Sequence, residues 1–208
     1  MRTRKDLSDI YLWFDTEFTT LEFEEARLLQ VALIATDAQL ARIMPPEKDI
    51  DIIVKLDDDA EISPWVAENL PDLIERCRMD DALPVSHLNA KIDAWLKGNF
   101  GPLRKDISKR PILAGNSHAC DWLLARKYIP SLIEFSNYRM LDVSAWKVHW
   151  QNAGLGPAFE KEDRKYIKSH LPFDLAGDGE RHDAYFDVQA SVAELFYYTQ
   201  AIKKLGEA

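Results

Sequence analysis

The sequence predicts an α/β fold in which a three-stranded antiparallel meander precedes a region of alternating strands and helices. Apolar runs at 10–14, 28–36 and 50–54 have the length of strands and follow one another without a helical pattern between them. Two further short runs, 111–114 and 138–142, each precede a segment with helical spacing. The chain of 208 residues is 47% hydrophobic and 29% charged, which is typical of a globular protein with its own core.

The first strand is predicted to lie in the middle of the sheet. Ile10–Phe14 is continuously apolar rather than alternating, as expected of a strand that is buried on both faces. Its end is abruptly acidic. The second strand stops at Asp37, where a turn-like break separates it from the third, and this spacing predicts antiparallel neighbours.

Helices are predicted from their caps and their apolar spacing. Ser63 is a typical N-cap and Pro64 a typical first helical residue, so a helix is predicted from here through about Arg76. Further helices are predicted at 87–100, 119–128, 144–152 and 183–204.

One domain is predicted over residues 1–208, because no repeat, low-complexity tract or linker divides the chain. The stretch 156–181 is polar and rich in Lys, Asp and Gly, and it interrupts the alternation of strands and helices. Such a long connection predicts an insertion or an active-site flap.

Charge and cysteine content exclude several classes of protein. With 26 Lys and Arg against 35 Asp and Glu, the net charge is −9, which argues against a broad basic surface for nucleic acid. A phosphodiester substrate is still compatible, because clustered carboxylates can hold divalent cations. Cys77 and Cys120 are far apart and give no zinc-site spacing. With no membrane-length apolar run, a soluble cytoplasmic protein is predicted.

Acidic residues mark the ends of predicted elements. Asp15 and Glu17 follow the first strand two residues apart, so they point to the same side and repel each other unless a cation bridges them. Asp121 lies in the first turn of a helix after a short buried strand. His182 precedes the last helix and Asp187 lies one turn inside it. Taken one at a time, these residues have ordinary interpretations. Asp15 and Glu17 are solvated acids, Asp121 is a carboxylate stabilised by the helix dipole, and His182 is a capping histidine.

Together, the three motifs resemble the DEDDh 3′→5′ exonucleases, DnaQ-like enzymes of the RNase H-like superfamily. Their order is Asp15-x-Glu17, then Asn116-x4-Asp121, then His182-x4-Asp187. The histidine form of the group is favoured over the tyrosine form, which has tyrosine where this chain has Asp183. Within the group the chain is similar to the oligoribonucleases. That similarity is spread over 27–32, 36–38, 114–117, 128–130, 138–144 and 191–198.

The resemblance implies a fold, an activity and a catalytic set. The fold is an RNase H-like mixed five-stranded sheet flanked by helices. The activity is release of nucleoside 5′-monophosphates from the 3′ ends of short single-stranded RNA by a homodimer. Two divalent ions, Mg²⁺ or Mn²⁺, would suit the hard oxygen ligands and catalyse an in-line phosphodiester displacement. The implied metal ligands are Asp15, Glu17, Asp121 and Asp187, with His182 as general base.

The resemblance also implies contacts to the bases of the substrate. Leu21 matches a leucine that wedges between bases, and Tyr138 matches an aromatic residue supplied by the partner subunit. Thr16 and Asn116, inside the first and second motifs, are expected to contact the substrate as well. The ordinary interpretation of Leu21 is a core residue.

A cap over the 5′-phosphate of a dinucleotide is implied for Ser117, Arg139 and Ser144. Arginine can bind a phosphate bidentately, and hydroxyl groups can complete the shell of donors around it. Such a cap would measure substrate length by the position of the far phosphate. The ordinary interpretation of Arg139 is a surface ion pair.

Several departures from the oligoribonuclease pattern keep other functions open. Thr16, Thr20 and Gln30 replace the usual Leu, Gly and Glu, and the stretch 65–76 lacks a base-stacking histidine, with Asn69 or Leu70 near its position. The alternatives are a DEDDh exodeoxyribonuclease of the proofreading or repair type, and a catalytically inactive nucleic-acid-binding module. Motifs of α/β-hydrolases, P-loop NTPases and dinucleotide-binding dehydrogenases are absent.

Overall fold

Five strands form one mixed sheet in the computed structural model, which describes residues 6–206. The strand order is β3-β2-β1-β4-β5. The first three strands pair antiparallel, whereas β4 pairs parallel with β1 and β5 parallel with β4. The predicted meander followed by parallel strands is therefore confirmed. The strands are β1 (Ile10–Phe18), β2 (Leu28–Asp37), β3 (Ile50–Ile53), β4 (Ile112–Gly115) and β5 (Met140–Asp142).

Helices cover both faces of this sheet. One face packs against α3, α4 and α5, and the other packs against α6, α7 and α8. A smaller cluster joins α1 and α2 to Leu29 and Leu56 near the β2–β3 edge. The helices are α1 (Pro64–Asn69), α2 (Pro71–Arg78), α3 (Val85–Phe100), α4 (Ala119–Tyr128), α5 (Pro130–Phe135), α6 (Val143–Asn152), α7 (Arg164–His170) and α8 (Ala184–Gly206).

β1 lies at the centre of the sheet and is buried on both faces, as predicted. Leu12 and Phe14 belong to the core under α3 to α5, whereas Trp13 belongs to the core under α8. The strand continues to Phe18, four residues beyond its predicted end, because pairing with β2 keeps the polar residues extended. Asp15 and Glu17 therefore lie within a paired strand rather than in the loop after it.

The single helix predicted from Ser63 to about Arg76 is wrong. Ser63 does cap a helix by accepting the Val66 N–H, but α1 ends at Asn69 and a second helix begins at Pro71. Proline has no amide hydrogen to continue α1, and it forces the preceding Leu70 out of helical conformation. Pro71 is accordingly the first residue of α2.

The stretch 156–181 contains α7 and packs on α8 through a cluster of aromatic rings. The ring centroid of Phe159 lies 5.2 Å from that of Tyr166 and 5.6 Å from that of Tyr197, and Tyr166 lies 4.3 Å from His170. The stretch is thus folded against α8 in this structure. Among the described residues, no helix is both long and apolar enough to span a membrane.

We predict that Leu96→Ala destabilises the protein by about 2–5 kcal/mol, since Leu96 is fully buried under the sheet and its loss leaves a cavity. Denaturant unfolding with and without divalent metal measures the effect. Leu123→Ala on the exposed side of α4 is the control and should change the free energy of unfolding by less than about 0.5 kcal/mol. Equal effects of the two substitutions would contradict this assignment of the core.

Candidate active site

The acidic residues of β1 meet carboxylates from both layers of helices. Asp15 and Glu17 share the side of β1 that faces α8, because strand side chains alternate. Thr16 faces the other way, toward α4. Burial raises the pKa of Asp15 well above its usual range, and the charges of Asp121, Asp187 and Glu17 raise it further. These four acids therefore form one electrostatic cluster.

Asp121 is held at the cluster by the backbone and side chain of Thr16. Asp121 Oδ1 accepts the Thr16 N–H at 3.0 Å and the Thr16 hydroxyl at 2.6 Å. Burial raises the pKa of Asp121 to about 6, although the hydrogen bonds from Thr16 act in the opposite direction. One carboxylate oxygen is thus fixed by the protein, which orients the side chain.

His182 and Asp187 come to the same place from the start of α8. One potential ligand atom from each of Glu17, His182 and Asp187 lies within 4.8 Å of the other two. The backbone N–H of His182 donates to Asp187 Oδ2 at 3.0 Å, and the backbone of His182 has a positive φ of 67°. Its ring meets that of Trp65 edge to face, with 5.0 Å between centroids. The spacing His182-x4-Asp187 therefore does bring both side chains to one point.

Gln30 ties β2 to the start of α8 and so helps to place His182. Its side-chain oxygen accepts the Ala184 N–H at 3.0 Å, and its amide nitrogen donates to Asp51 at 2.8 Å and to Asp183 at 3.3 Å. A glutamate here would have no N–H for these two carboxylates. Gln30, which stands where the oligoribonuclease pattern has glutamate, is therefore suited to the two aspartates beside it.

The cluster has the electrostatics of a site for a divalent cation. Burial and the charges of Asp187, Asp121 and Asp183 raise the pKa of Glu17 to about 9. Burial is also the main cause of the raised pKa of Asp187. Carboxylates in such a place are stabilised by a bound cation, and oxygen ligands suit a hard divalent ion. The residues present fit a metal site.

Three of the predicted substrate-binding residues lie together beside this cluster. The Ser117 N–H donates to Ser144 Oγ at 2.8 Å, and the two hydroxyl oxygens are 3.0 Å apart. Ser144 Oγ in turn donates to Asn116 Oδ1 at 3.1 Å. Asp142 accepts the backbone N–H groups of both serines and caps α6. The structure therefore brings Asn116, Ser117 and Ser144 into one hydroxyl-rich group.

The other predicted substrate-binding residues remain at the surface. Leu21 is 71% exposed, so its ordinary interpretation as a core residue is wrong. Tyr138 is 60% exposed, and the guanidinium of Arg139 lies 5.2 Å from the centre of its ring. In residues 6–206 no hydrogen bond or ion pair joins that guanidinium to another group, so Arg139 forms neither a surface ion pair nor a hydrogen bond to Ser117 or Ser144 there.

Sequence reasoning missed two residues of the site, Trp65 and Glu194. Trp65 is half exposed at the start of α1 yet contacts His182. Glu194 is fully buried and accepts the Asn116 amide at 3.2 Å. It lies seven residues after Asp187, two helical turns on and on the same face of α8. That helical spacing was the available signal in the sequence. Only the structure shows that Glu194 then meets Asn116.

Comparisons with known proteins show which family the chain resembles over most of its length. A family model described as an exonuclease, RNase T, matches residues 12–195. The probable oligoribonuclease of Schizosaccharomyces pombe is 29% identical over 197 residues, which cover 93% of this chain and 68% of that protein. The oligoribonuclease of Tropheryma whipplei is 29% identical over 196 residues and covers 91% of each protein.

Solved structures show the same fold. Pop2p of S. pombe, in its Mg²⁺- and Mn²⁺-bound form, aligns with a TM-score of 0.57 and 14% identity over 91% of this chain and 82% of its own. The nuclease domain of 3′hExo, a DEDDh family member bound to rAMP, aligns with a TM-score of 0.53 and 14% identity over 93% and 92%. The RNase H-like mixed sheet implied by the resemblance is thus confirmed. This chain belongs to the RNase T family of exonucleases.

Proposed function

We propose that this protein is a 3′→5′ exonuclease that hydrolyses short oligoribonucleotides to nucleoside 5′-monophosphates. One observation carries the proposal. The structure gathers Asp15, Glu17, Asp121 and Asp187 into one buried electrostatic cluster and sets His182 beside it. We assign the whole activity to a single exonuclease domain over residues 1–208, with an insertion at 156–181.

The four carboxylates are proposed to hold two divalent ions, Mg²⁺ or Mn²⁺. When bound, such a pair would activate a water molecule and stabilise the leaving 3′-oxygen. The chain's own part is to fix the ligands. The Thr16 hydroxyl orients Asp121, and the backbone N–H of His182 orients Asp187.

His182 is proposed as the general base that takes the proton of the attacking water at a ring nitrogen. An imidazole suits this role because it can exchange a proton near neutral pH. The backbone bond to Asp187 and the edge-to-face contact with Trp65 limit the positions its ring can adopt.

Short RNA is the proposed substrate because both oligoribonuclease relatives match nearly the whole chain. The hydroxyl groups of Ser117 and Ser144, which hydrogen-bond to each other and to Asn116 in this structure, would turn to donate to a terminal 5′-phosphate, and Arg139 would close over it after a change of side-chain conformation. Leu21 is exposed enough to wedge between bases. Asn116, which accepts from Ser144, and Thr16, which donates to Asp121, are proposed to complete the substrate contacts.

A homodimer in the cytoplasm is proposed for the working enzyme. Tyr138 is exposed beside Met140, and such a surface can carry an aromatic residue into the site of a second subunit. Cys77 and Cys120 are both free thiols, which suits a reducing compartment.

The second candidate is a DNA-directed 3′→5′ exonuclease, which Thr16 in place of the usual leucine favours. Hydrolysis of 5′-labelled RNA and DNA of matched sequence, from two to about twenty nucleotides, separates the candidates with Mg²⁺ or Mn²⁺ present. Faster release of monophosphates from short RNA supports the proposal. A preference for DNA favours the second candidate, and no metal-dependent hydrolysis of either favours an inactive binding module.

We predict that Glu17→Gln makes the metal-free protein less sensitive to rising pH. The folded protein raises the pKa of Glu17 from its ordinary value of 4.5 to about 9, so folding favours the protonated form of this side chain. The stability that the protonated form contributes is fully present below pH 4.5 and is lost as the pH rises through about 9. Thermal unfolding in EDTA should show the melting temperature of the wild type falling more steeply with pH than that of the variant. Added Mn²⁺ should stabilise the wild type more.

The control is Glu24→Gln, which removes an exposed carboxylate from the loop after β1. It should leave the pH dependence of the melting temperature unchanged. If Glu17→Gln and Glu24→Gln follow the wild type equally closely, the electrostatic cluster does not govern the stability of the metal-free protein.

We predict that His182→Ala lowers kcat by about 10²–10⁴-fold while the affinity for substrate stays near that of the wild type, because the four carboxylates remain. Steady-state kinetics on a dinucleotide with Mn²⁺ measures both. A large loss of affinity with an unchanged rate at saturation would make His182 a binding residue and place the base elsewhere.

We predict that Arg139→Ala lowers kcat/KM for a 5′-phosphorylated dinucleotide by roughly ten- to a hundredfold, since a hydrogen bond to a charged group is worth about 1.5–3 kcal/mol. Strands of about twenty nucleotides should be much less affected. Arg126→Ala, at an exposed arginine of α4, is the control. A length profile that is flat and insensitive to Arg139→Ala rules out the phosphate cap.

A further inference from the structure

The insertion at 156–181 delivers a positive charge to the carboxylate cluster. Lys161 Nζ lies 3.1 Å from Glu194 Oε2, and the Lys161 side chain is only 25% exposed. The positive charge of Lys161 also lowers the pKa of Asp15 and of Asp187. Because Glu194 lies two helical turns after Asp187 on the same face of α8, the ion pair sets Lys161 on the Asp187 side of the cluster.

Lys161 is held in this place from both directions. Two residues earlier, Phe159 is buried, its N–H donates to the Tyr198 hydroxyl at 3.4 Å, and its ring packs against Tyr197. On the other side, Glu194 is fixed by hydrogen bonds that it accepts from the Tyr198 hydroxyl at 3.1 Å and from the Asn116 amide at 3.2 Å. The ammonium is thus attached to a rigid buried acid rather than to a mobile surface group.

The ammonium retains donors for a ligand. It has three N–H groups, and Glu194 is its only hydrogen-bonding or ion-pair partner within residues 6–206. The Lys161 side chain is three-quarters buried at the edge of the carboxylate cluster, so among the described residues it is well placed to meet a phosphate that approaches those acids. Phosphate oxygens are strong acceptors for it.

We propose that Lys161 binds a non-bridging oxygen of the scissile phosphate, with Glu194 holding its ammonium in position. This inference rests on the proposed nuclease function and adds a substrate contact supplied by the insertion. The scissile phosphate is preferred to the terminal 5′-phosphate, because the Glu194 that holds Lys161 lies on the same face of α8 as Asp187, and no hydrogen bond joins Lys161 to Ser117 or Ser144 within residues 6–206.

The test uses a Glu194→Gln background, because removing Lys161 alone would leave the Glu194 charge buried without a partner. Glutamine can still accept from Asn116 and Lys161 while its amide donates to the Tyr198 hydroxyl. Full-length Glu194→Gln and Lys161→Met/Glu194→Gln are compared on dinucleotides with and without a 5′-phosphate, with Mn²⁺ present. Lys161→Arg/Glu194→Gln tests rescue by charge, and Lys168→Met, at an exposed lysine of α7, is the control.

The double variant with methionine is expected to have kcat/KM lowered by roughly ten- to a hundredfold relative to Glu194→Gln on both dinucleotides, with part of the loss in KM. The arginine variant should recover most of the loss, and Lys168→Met should match the wild type. Equal kinetics of Lys161→Met/Glu194→Gln and Glu194→Gln overturn the proposal and leave Lys161 as the partner of Glu194 alone. A loss confined to 5′-phosphorylated dinucleotides also overturns it, since the contact would then be to the other phosphate. A wild-type chain inert on all substrates overturns the nuclease function itself, a result distinct from either.

Discussion

The mutual repulsion of four carboxylates held away from water is the constraint on which the rest of this site depends. β1 supplies Asp15 and Glu17 at the centre of the sheet, and the two layers of helices each add an acid from one side. Such an arrangement raises the pKa of every member and costs stability unless something positive lies between them. The neighbouring groups offset part of this cost through donated hydrogen bonds and one ammonium.

Two residues that depart from the oligoribonuclease pattern are integrated into this arrangement. A leucine at position 16 could not donate the side-chain hydrogen bond that Thr16 gives to Asp121. Gln30 bridges two carboxylates and an N–H at the start of α8, where a glutamate would add a further negative charge. Both residues therefore donate hydrogen bonds to carboxylates, and these bonds hold the carboxylates in a fixed orientation.

The sequence was sufficient for those parts of the fold that depend on local patterns. The alternation of β1 placed Asp15 and Glu17 on one side, and the short spacing from His182 to Asp187 placed both at the start of one helix. The break at Pro71 was also readable from local chemistry, although the predicted helix ran through it. Contacts between distant segments were not readable in this way. Trp65 meets His182, and Lys161 meets Glu194, only because separate elements pack together.

The position of bound Mn²⁺ would show whether the four carboxylates hold a pair of metal ions. Crystals of the protein grown or soaked with Mn²⁺, measured at the manganese absorption edge, would give anomalous peaks at the metal positions. Two peaks are expected, both lying among the carboxylates of Asp15, Glu17, Asp121 and Asp187, as in a two-metal site. Manganese found only at exposed acids, such as the run Asp57 to Asp59, with no peak in the cluster, would contradict this assignment.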